Sequence, residues 1–262
     1  MGARAKTCLL VALAVGALGA LAALAQAELN RKGDLIVSFQ GEIAPSALSR
    51  TKPEPVSVRV AGNVKTTNGL RLPQLRTIAV AINRSGRLYD KGLPTCRVES
   101  IQPATEAVAR KRCADSIVGS GHVTLVVRLP SQGDYISRNN LLAFNGPREG
   151  KKKLILAQIY SKNPPGAIIL TFTVRPSKGL YGNVIETTLP DYAEGWAYLT
   201  QFDMTLGRTY AYRGHPHSYI SASCAAPAGF PGALFPFAKA TYGFSTGEVV
   251  TTKINRHCKV SE

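Results

Sequence analysis

The sequence predicts an all-β protein, mainly an antiparallel β-sandwich, with one short helix near residues 104–118. Three observations lead there. Most segments beyond Gly33 alternate apolar and polar residues or form short β-branched runs, the pattern of strands with a buried face. Turn formers punctuate them, at Thr67-Asn68-Gly69, Arg84-Ser85-Gly86, Asn145-Gly146, Pro164-Pro165-Gly166, Pro176-Ser177-Lys178-Gly179 and Thr246-Gly247. Helical periodicity interrupts the series in one place, which favours antiparallel packing over a parallel sheet with crossover helices.

Taken in order, the expected strands begin with Asp34 to Ile43, Val56 to Val64 and Leu75 to Asn83. The helix comes next. Pro103 suits its first turn, Ala107, Val108, Ala114, Ile117 and Val118 recur at helical spacing, and Gly119 can end it in the left-handed conformation. Arg110, Lys111 and Arg112 fall in its C-terminal half, where the helix dipole favours cations. Strands then resume at His122 to Leu129, Leu141 to Phe144, Lys153 to Tyr160, Ile168 to Val174 and Tyr181 to Leu189. The last are Ala197 to Leu206, Thr209 to Tyr212, Tyr219 to Cys224, Leu234 to Phe244 and Glu248 to Asn255.

The N-terminus is expected to be a secretion signal, residues 1–27, cleaved after Ala27. Arg4 and Lys6 form a basic start without acids, Leu9 to Ala25 is apolar, and Ala25-Gln26-Ala27 offers small residues where a signal peptidase reads them. The competing picture is a retained anchor helix, which the Ala/Gly-rich run and the small-x-small site disfavour. Cys8 opens the apolar run, whereas a lipid-attachment cysteine would close it. Residues 28–262 then form a single expected domain in an extracytoplasmic compartment. Gly146 to Lys153, GPREGKKK, is the best candidate for a two-part split, although it is short enough for a hairpin loop.

Beyond the signal no second apolar run is long enough to span a membrane as a helix. Loss of Arg4 and Lys6 leaves thirty basic residues against sixteen acids, a formal charge of +14. Such a balance attracts polyanions, and export points to those of the cell envelope and away from nucleic acid. Cys96, Cys113, Cys224 and Cys258 remain after cleavage, an even number that in an exported chain suggests two disulfides with three connectivities open. The sequence-local pairs, Cys96 with Cys113 and Cys224 with Cys258, are favoured because each brackets a compact stretch.

Four constellations invite a chemical role. Gly243-Phe244-Ser245-Thr246-Gly247 matches the G-x-S-x-G of a nucleophile elbow. Only Glu248, His257 and Glu262 follow it, on a stretch that reads as strand, so a hairpin turn explains both glycines better. His215-Pro216-His217 could share a metal from one face of a strand, but Pro216 suggests a loop and the cysteines lack C-x-x-C spacing. Asp191 and Glu194, beside Tyr192 and Trp196, supply two carboxylates near aromatics and read best as solvated acids. Seven of the ten tyrosines lie between Tyr181 and Tyr242, so Trp196, Tyr210 and Tyr212, with the basic Lys151, Lys152 and Lys153, make the candidate binding face. No catalytic residue, metal ligand or cofactor site is assigned.

Leu93-Pro94-Thr95-Cys96, Ala109-Arg110-Lys111-Arg112-Cys113, Val118-Gly119-Ser120-Gly121, Leu142-Ala143-Phe144-Asn145-Gly146 and Ser218 to Cys224 together carry a resemblance. In these motifs, spread from about Lys52 to Cys258, the chain resembles a family of exported, basic, β-rich actinobacterial proteins of unknown function. The resemblance implies no activity, cofactor or site. The expected role is that of a non-enzymatic, envelope-associated structural or binding protein with anionic polymers as partners. A secreted enzyme or metal-binding protein without a recognisable motif is the alternative.

Overall fold

The computed structural model describes residues 28–69, 71–128, 133–150, 152–163, 165–190 and 197–261. The expected secretion signal, Lys151, Asp191, Glu194 and Trp196 lie outside the described residues.

The chain is all-β, as its alternation predicts, and most of it forms one thirteen-stranded sheet. Along the sheet the order is β1 (Glu28–Lys32), β2 (Leu35–Ala44), β5 (Ser57–Thr66), β13 (Ala197–Leu206), β8 (Ile117–Val127), β9 (Tyr135–Glu149) and β10 (Lys152–Lys162). It continues with β11 (Pro165–Pro176), β12 (Tyr181–Thr188), β6 (Leu75–Asn83), β17 (Gly232–Phe244), β18 (Val249–Val260) and β3 (Ala47–Leu48). Neighbours pair antiparallel except β3, which lies parallel to β18. Within the GPREGKKK stretch Arg148 and Glu149 of β9 pair antiparallel with Lys153 and Lys152 of β10 in this same sheet.

The sheet curls until its first strands meet its last, so the two layers of a sandwich are halves of one surface. At the seam Phe39 of β2 meets Tyr242 of β17 edge to face, with ring centroids 6.5 Å apart. Gly41 leaves room for the Phe237 ring, which a Cβ there would approach to 2.5 Å. The Glu28 carboxylate accepts from the Asn255 amide at 3.2 Å, and Lys32 donates to the Val249 carbonyl at 3.2 Å. Side chains thus close the barrel where no backbone ladder does.

Registers carry one inward face around the whole barrel: Phe39 opposes Gly62, and Gly62 opposes Phe202. Outward positions are polar and ion-paired, as at Arg59, whose guanidinium reaches Asp203 at 2.9 Å and Glu42 at 3.2 Å. On β9 and β10 the outward face is buried too. Leu142, Phe144 and Leu156 pack under a helical layer through Cys96, Ile101, Ala109 and Cys113. The Gln158 amide donates to the Ile101 and Ala104 carbonyls at 2.8 and 2.9 Å. This two-sided burial explains the unbroken apolar runs at residues 141–144 and 154–157 of these two strands.

The helical layer is shorter than the sequence suggests. It consists of α1 (Val98–Ile101), α2 (Glu106–Arg112) and a 3₁₀ turn over Ala114–Ser116. Thr105 caps α2, accepting from the Val108 amide, so Pro103 precedes the helix instead of sitting in its first turn. Ile117 and Val118 leave the helix for β8, where Ile117 pairs with Phe144 and β-branched side chains are at ease. Both disulfides join the expected partners, Cys96 to Cys113 and Cys224 to Cys258. No described helix is long and apolar enough to cross a membrane.

Candidate functional site

Eleven strands lie between β2 and β18 inclusive, more than the roughly eight whose side chains fill a barrel. Part of the interior here is packed solid by Phe39, Tyr242, Phe244 and Ile254. The rest encloses a cavity of ≈ 130 Å³, lined along its length by such side chains as Val60, Val80, Ile155, Leu170, Phe202 and Met204. Val58, Val80, Phe172, Ile185 and Met204 point inward yet stay only partly buried, because they face this space rather than one another. Asn83, Ser85 and Ser223 are the polar residues among the described lining. All three sit at one end.

That end is sealed. A small sheet of β4 (Glu54–Pro55), β16 (Ile220–Ala222) and β7 (Gly86–Leu88) lies over it, and Leu88, Ile220 and Ala222 turn their side chains into the cavity. The bond from Cys224 to Cys258 ties the segment after β16 to β18. Towards the opposite end the main cavity shares Ile159, Leu170 and Leu199 with a smaller one of ≈ 30 Å³ that Leu125, Leu189 and Pro190 also line. Gln74 and Arg76, which line this smaller space, also line an open groove of ≈ 750 Å³ with Arg71, Tyr198, Ser245, Asp34 and Glu248. The barrel therefore has a floor and an apolar chamber.

The candidate face from sequence is partly assembled. β14 (Thr209–Tyr212) and β15 (His215–Ser218) form a hairpin whose turn residues Arg213 and Gly214 both have positive φ, 52° and 76°. Where a loop was expected at Pro216, there is a strand, because the ladder needs nothing from the missing amide at this edge position. Tyr210, Tyr212 and Tyr89 surround the His217 ring at 5.9, 5.8 and 5.1 Å. The Tyr210 hydroxyl donates to the Lys91 carbonyl at 3.0 Å, and burial pushes its pKa up to about 12. Tyr212 sits on Gly92, where a Cβ would lie 2.0 Å from the ring.

These aromatics are thus packed on the Leu88 to Lys91 segment, and Lys153 grips the same segment from β10. Its ammonium lies 2.9 Å from Asp90 and donates to the Leu88 carbonyl at 2.9 Å. Arg148 reaches Asp90 at 2.7 Å, while Lys152 stays exposed. Among the described residues no group of three or more His, Cys, Asp or Glu side chains is placed to hold a metal.

Ser245 lies in the β17–β18 turn. Its amide donates to the Gln74 carbonyl at 2.8 Å, and Gly247, with φ 83°, donates to the Phe244 carbonyl at 3.0 Å. Strand follows at Val249, where a nucleophile elbow would start a helix. Ser245→Ala should therefore leave folding and stability unchanged, and a fluorophosphonate probe should not label the protein. Stoichiometric labelling of Ser245 would contradict this.

The chamber itself escapes sequence reasoning. Alternation in Val58, Val60 and Gly62 or in Ile155, Ala157 and Ile159 identifies inward positions, but the space between them depends on how many strands close the ring. Compared with protein-family models, curated proteins and solved structures, the chain matches none.

Proposed function

We propose that the mature chain works outside the cytoplasm as a non-enzymatic binding protein that encloses an apolar ligand in its barrel. The observation that carries this reading is the ≈ 130 Å³ chamber lined by Val, Ile, Leu, Phe and Met side chains. Cavities of this size and lining stay dry and take up small apolar groups. Each methylene moved there from water contributes about 0.8 kcal/mol before ordering costs. Along its apolar length the chamber offers binding area rather than acids, bases or nucleophiles. Two disulfides, polar outward strand faces and the signal-like N-terminus support an exported protein with this barrel in water.

Methyl-resolved NMR with a panel of apolar ligands of different shapes tests the proposal. At least one should give saturable shifts at Val80, Ile155 and Met204. In Val80→Phe, which fills the chamber, that ligand should bind at least tenfold more weakly while circular dichroism stays native-like. A panel in which no ligand perturbs the inward methyls would contradict it.

A second reading concerns the exterior. The formal charge of +14 on the mature chain favours association with anionic envelope polymers. Exposed contacts are each worth about 1 kcal/mol at most and fade as the screening length falls to ~8 Å near physiological salt. Retention on purified anionic wall polymer should fall steeply with salt and weaken when Lys151, Lys152 and Lys153 become Gln. Because Asp90 already neutralises Lys153, most of that weakening should reproduce without Lys153→Gln. No retention at low salt would remove this reading.

A further inference from the structure

We propose that the protein carries a second binding site, on the outside of the barrel, which takes one unit of a neutral saccharide. The site is an open groove of ≈ 270 Å³ across β2, β5, β13 and β8, and it does not depend on the reading of the apolar chamber.

Sheet register builds the groove. Phe39, Gly62, Phe202 and Val123 form one cross-strand row that points inward, so the rows on either side point out. One outward row reads Ser38, Asn63, Gln201 and Thr124, and the other Gln40, Ala61, Asp203 and His122. All eight line the groove together with Arg59. Ala61 contributes only a methyl where its neighbours contribute long polar side chains, which leaves the hollow. Its volume lies just below the roughly 300 Å³ at which small-molecule pockets begin, so it suits a single ring, with the rest of any longer saccharide in solvent.

Its polar groups are left for a ligand. Ser38, Gln40 and Asn63 are half-buried, and none of their side chains bonds to a described residue. The Gln201 oxygen accepts from the Thr124 hydroxyl at 3.3 Å, which turns the Gln201 amide nitrogen over to the groove. His122 is set in the same way. The Asn140 amide donates to Glu106 at 2.8 Å, so the Asn140 oxygen accepts from His122 Nδ1 at 3.1 Å and Nε2 of the neutral ring remains an acceptor. Planar amides present a donor and an acceptor side by side, matching sugar hydroxyls, each of which does both. Charge disfavours other ligands. Arg59 is occupied by Asp203 and Glu42, so the lining carries no net charge on a mature chain of +14. An anion would meet Asp203 and Glu42, and a cation would meet Arg59. A peptide is read along a sheet edge or by apolar pockets for its side chains, and this polar groove on a sheet face offers neither.

Titrations followed by NMR of the side-chain amides test this. The neutral probes are the methyl glycosides of glucose, galactose, mannose and N-acetylglucosamine. Glucuronate and glucosamine are the charged comparisons, and N-acetyl-triglycine amide is the peptide. At least one glycoside should give saturable shifts at the side-chain amides of Gln40, Asn63 and Gln201. The charged sugars and the peptide should bind roughly fivefold more weakly or worse. Unlike retention on an anionic polymer, glycoside affinity should change by less than about twofold between low and high salt. Ala61→Leu fills the hollow from the outer face of the sheet and should weaken binding about tenfold or more. Should that variant fold poorly, Gln40→Ala combined with Asn63→Ala should do the same. Val80→Phe, which acts on the chamber, should leave glycoside binding as it is. If no glycoside moves these amides, if a charged sugar or the peptide binds as tightly as the best glycoside, or if the groove variants bind like the wild type, this proposal fails while the enclosed-ligand reading stands.

Discussion

Replacing Cys224 and Cys258 together by alanine is expected to lower stability by about 4 kcal/mol, measured by chemical denaturation without reductant. The bond spans 34 residues, and loop-closure entropy on that scale sets the magnitude. It also holds the floor. Both cysteines are buried. The Cys224 amide donates to the Ser49 carbonyl at 2.9 Å, so freeing the cysteine loosens the segment after β2 as well. Loss of Cys96 and Cys113, which close 17 residues, should cost about 3 kcal/mol and act on the helical layer outside β9 and β10. The first pair should therefore weaken ligand binding beyond its effect on stability, and the second should not.

Phe39→Ala should cost about 3 to 5 kcal/mol, the range for removing a fully buried phenylalanine. Its ring is not an ordinary core group. It crosses the seam to Tyr242, where β2 and β17 share no backbone pairing, so the deletion leaves a cavity at the place where side chains alone close the barrel. An edge-to-face pair of this kind adds about 0.5 to 1.5 kcal/mol beyond the area it buries. Denaturation midpoints check the cost. Faster amide exchange in β1, β2 and β18 than in β9 and β10 would show that the seam opens first. A loss below about 1 kcal/mol would mean the ring is not what closes the sheet.

Local pattern made much of this fold legible. Leu75–Asn83, Ala197–Leu206 and Thr209–Tyr212 are strands with the bounds that alternation assigns. Of the three connectivities the sequence left open, the favoured sequence-local pairing is the one formed. What escaped depends on partners distant in sequence. Leu141 to Phe144 grew into Tyr135–Glu149 because Ser137, Arg138, Asn139 and Asn140, which look like loop, find a ladder on β8. Ile117 and Val118 carry helical spacing but join β8 for the same reason. Tyr210 and Tyr212 were recognised as a cluster, whereas their partners Tyr89 and His217 come from a separate segment and a separate strand. The chamber is the extreme case. No residue such as Val80 or Met204 announces a cavity; eleven curled strands create one by leaving more room than Val, Ala and Gly at inward positions can fill.

Whether that room admits an apolar occupant can be seen by diffraction from crystals held under xenon pressure, since xenon enters dry apolar cavities without needing a polar anchor. Xenon should occupy the chamber bounded by Val80, Ile155 and Met204 in the wild type and be excluded from it in Val80→Phe. Xenon confined to surface sites in the wild type, with the inward side chains packed against one another, would contradict an enclosed binding chamber.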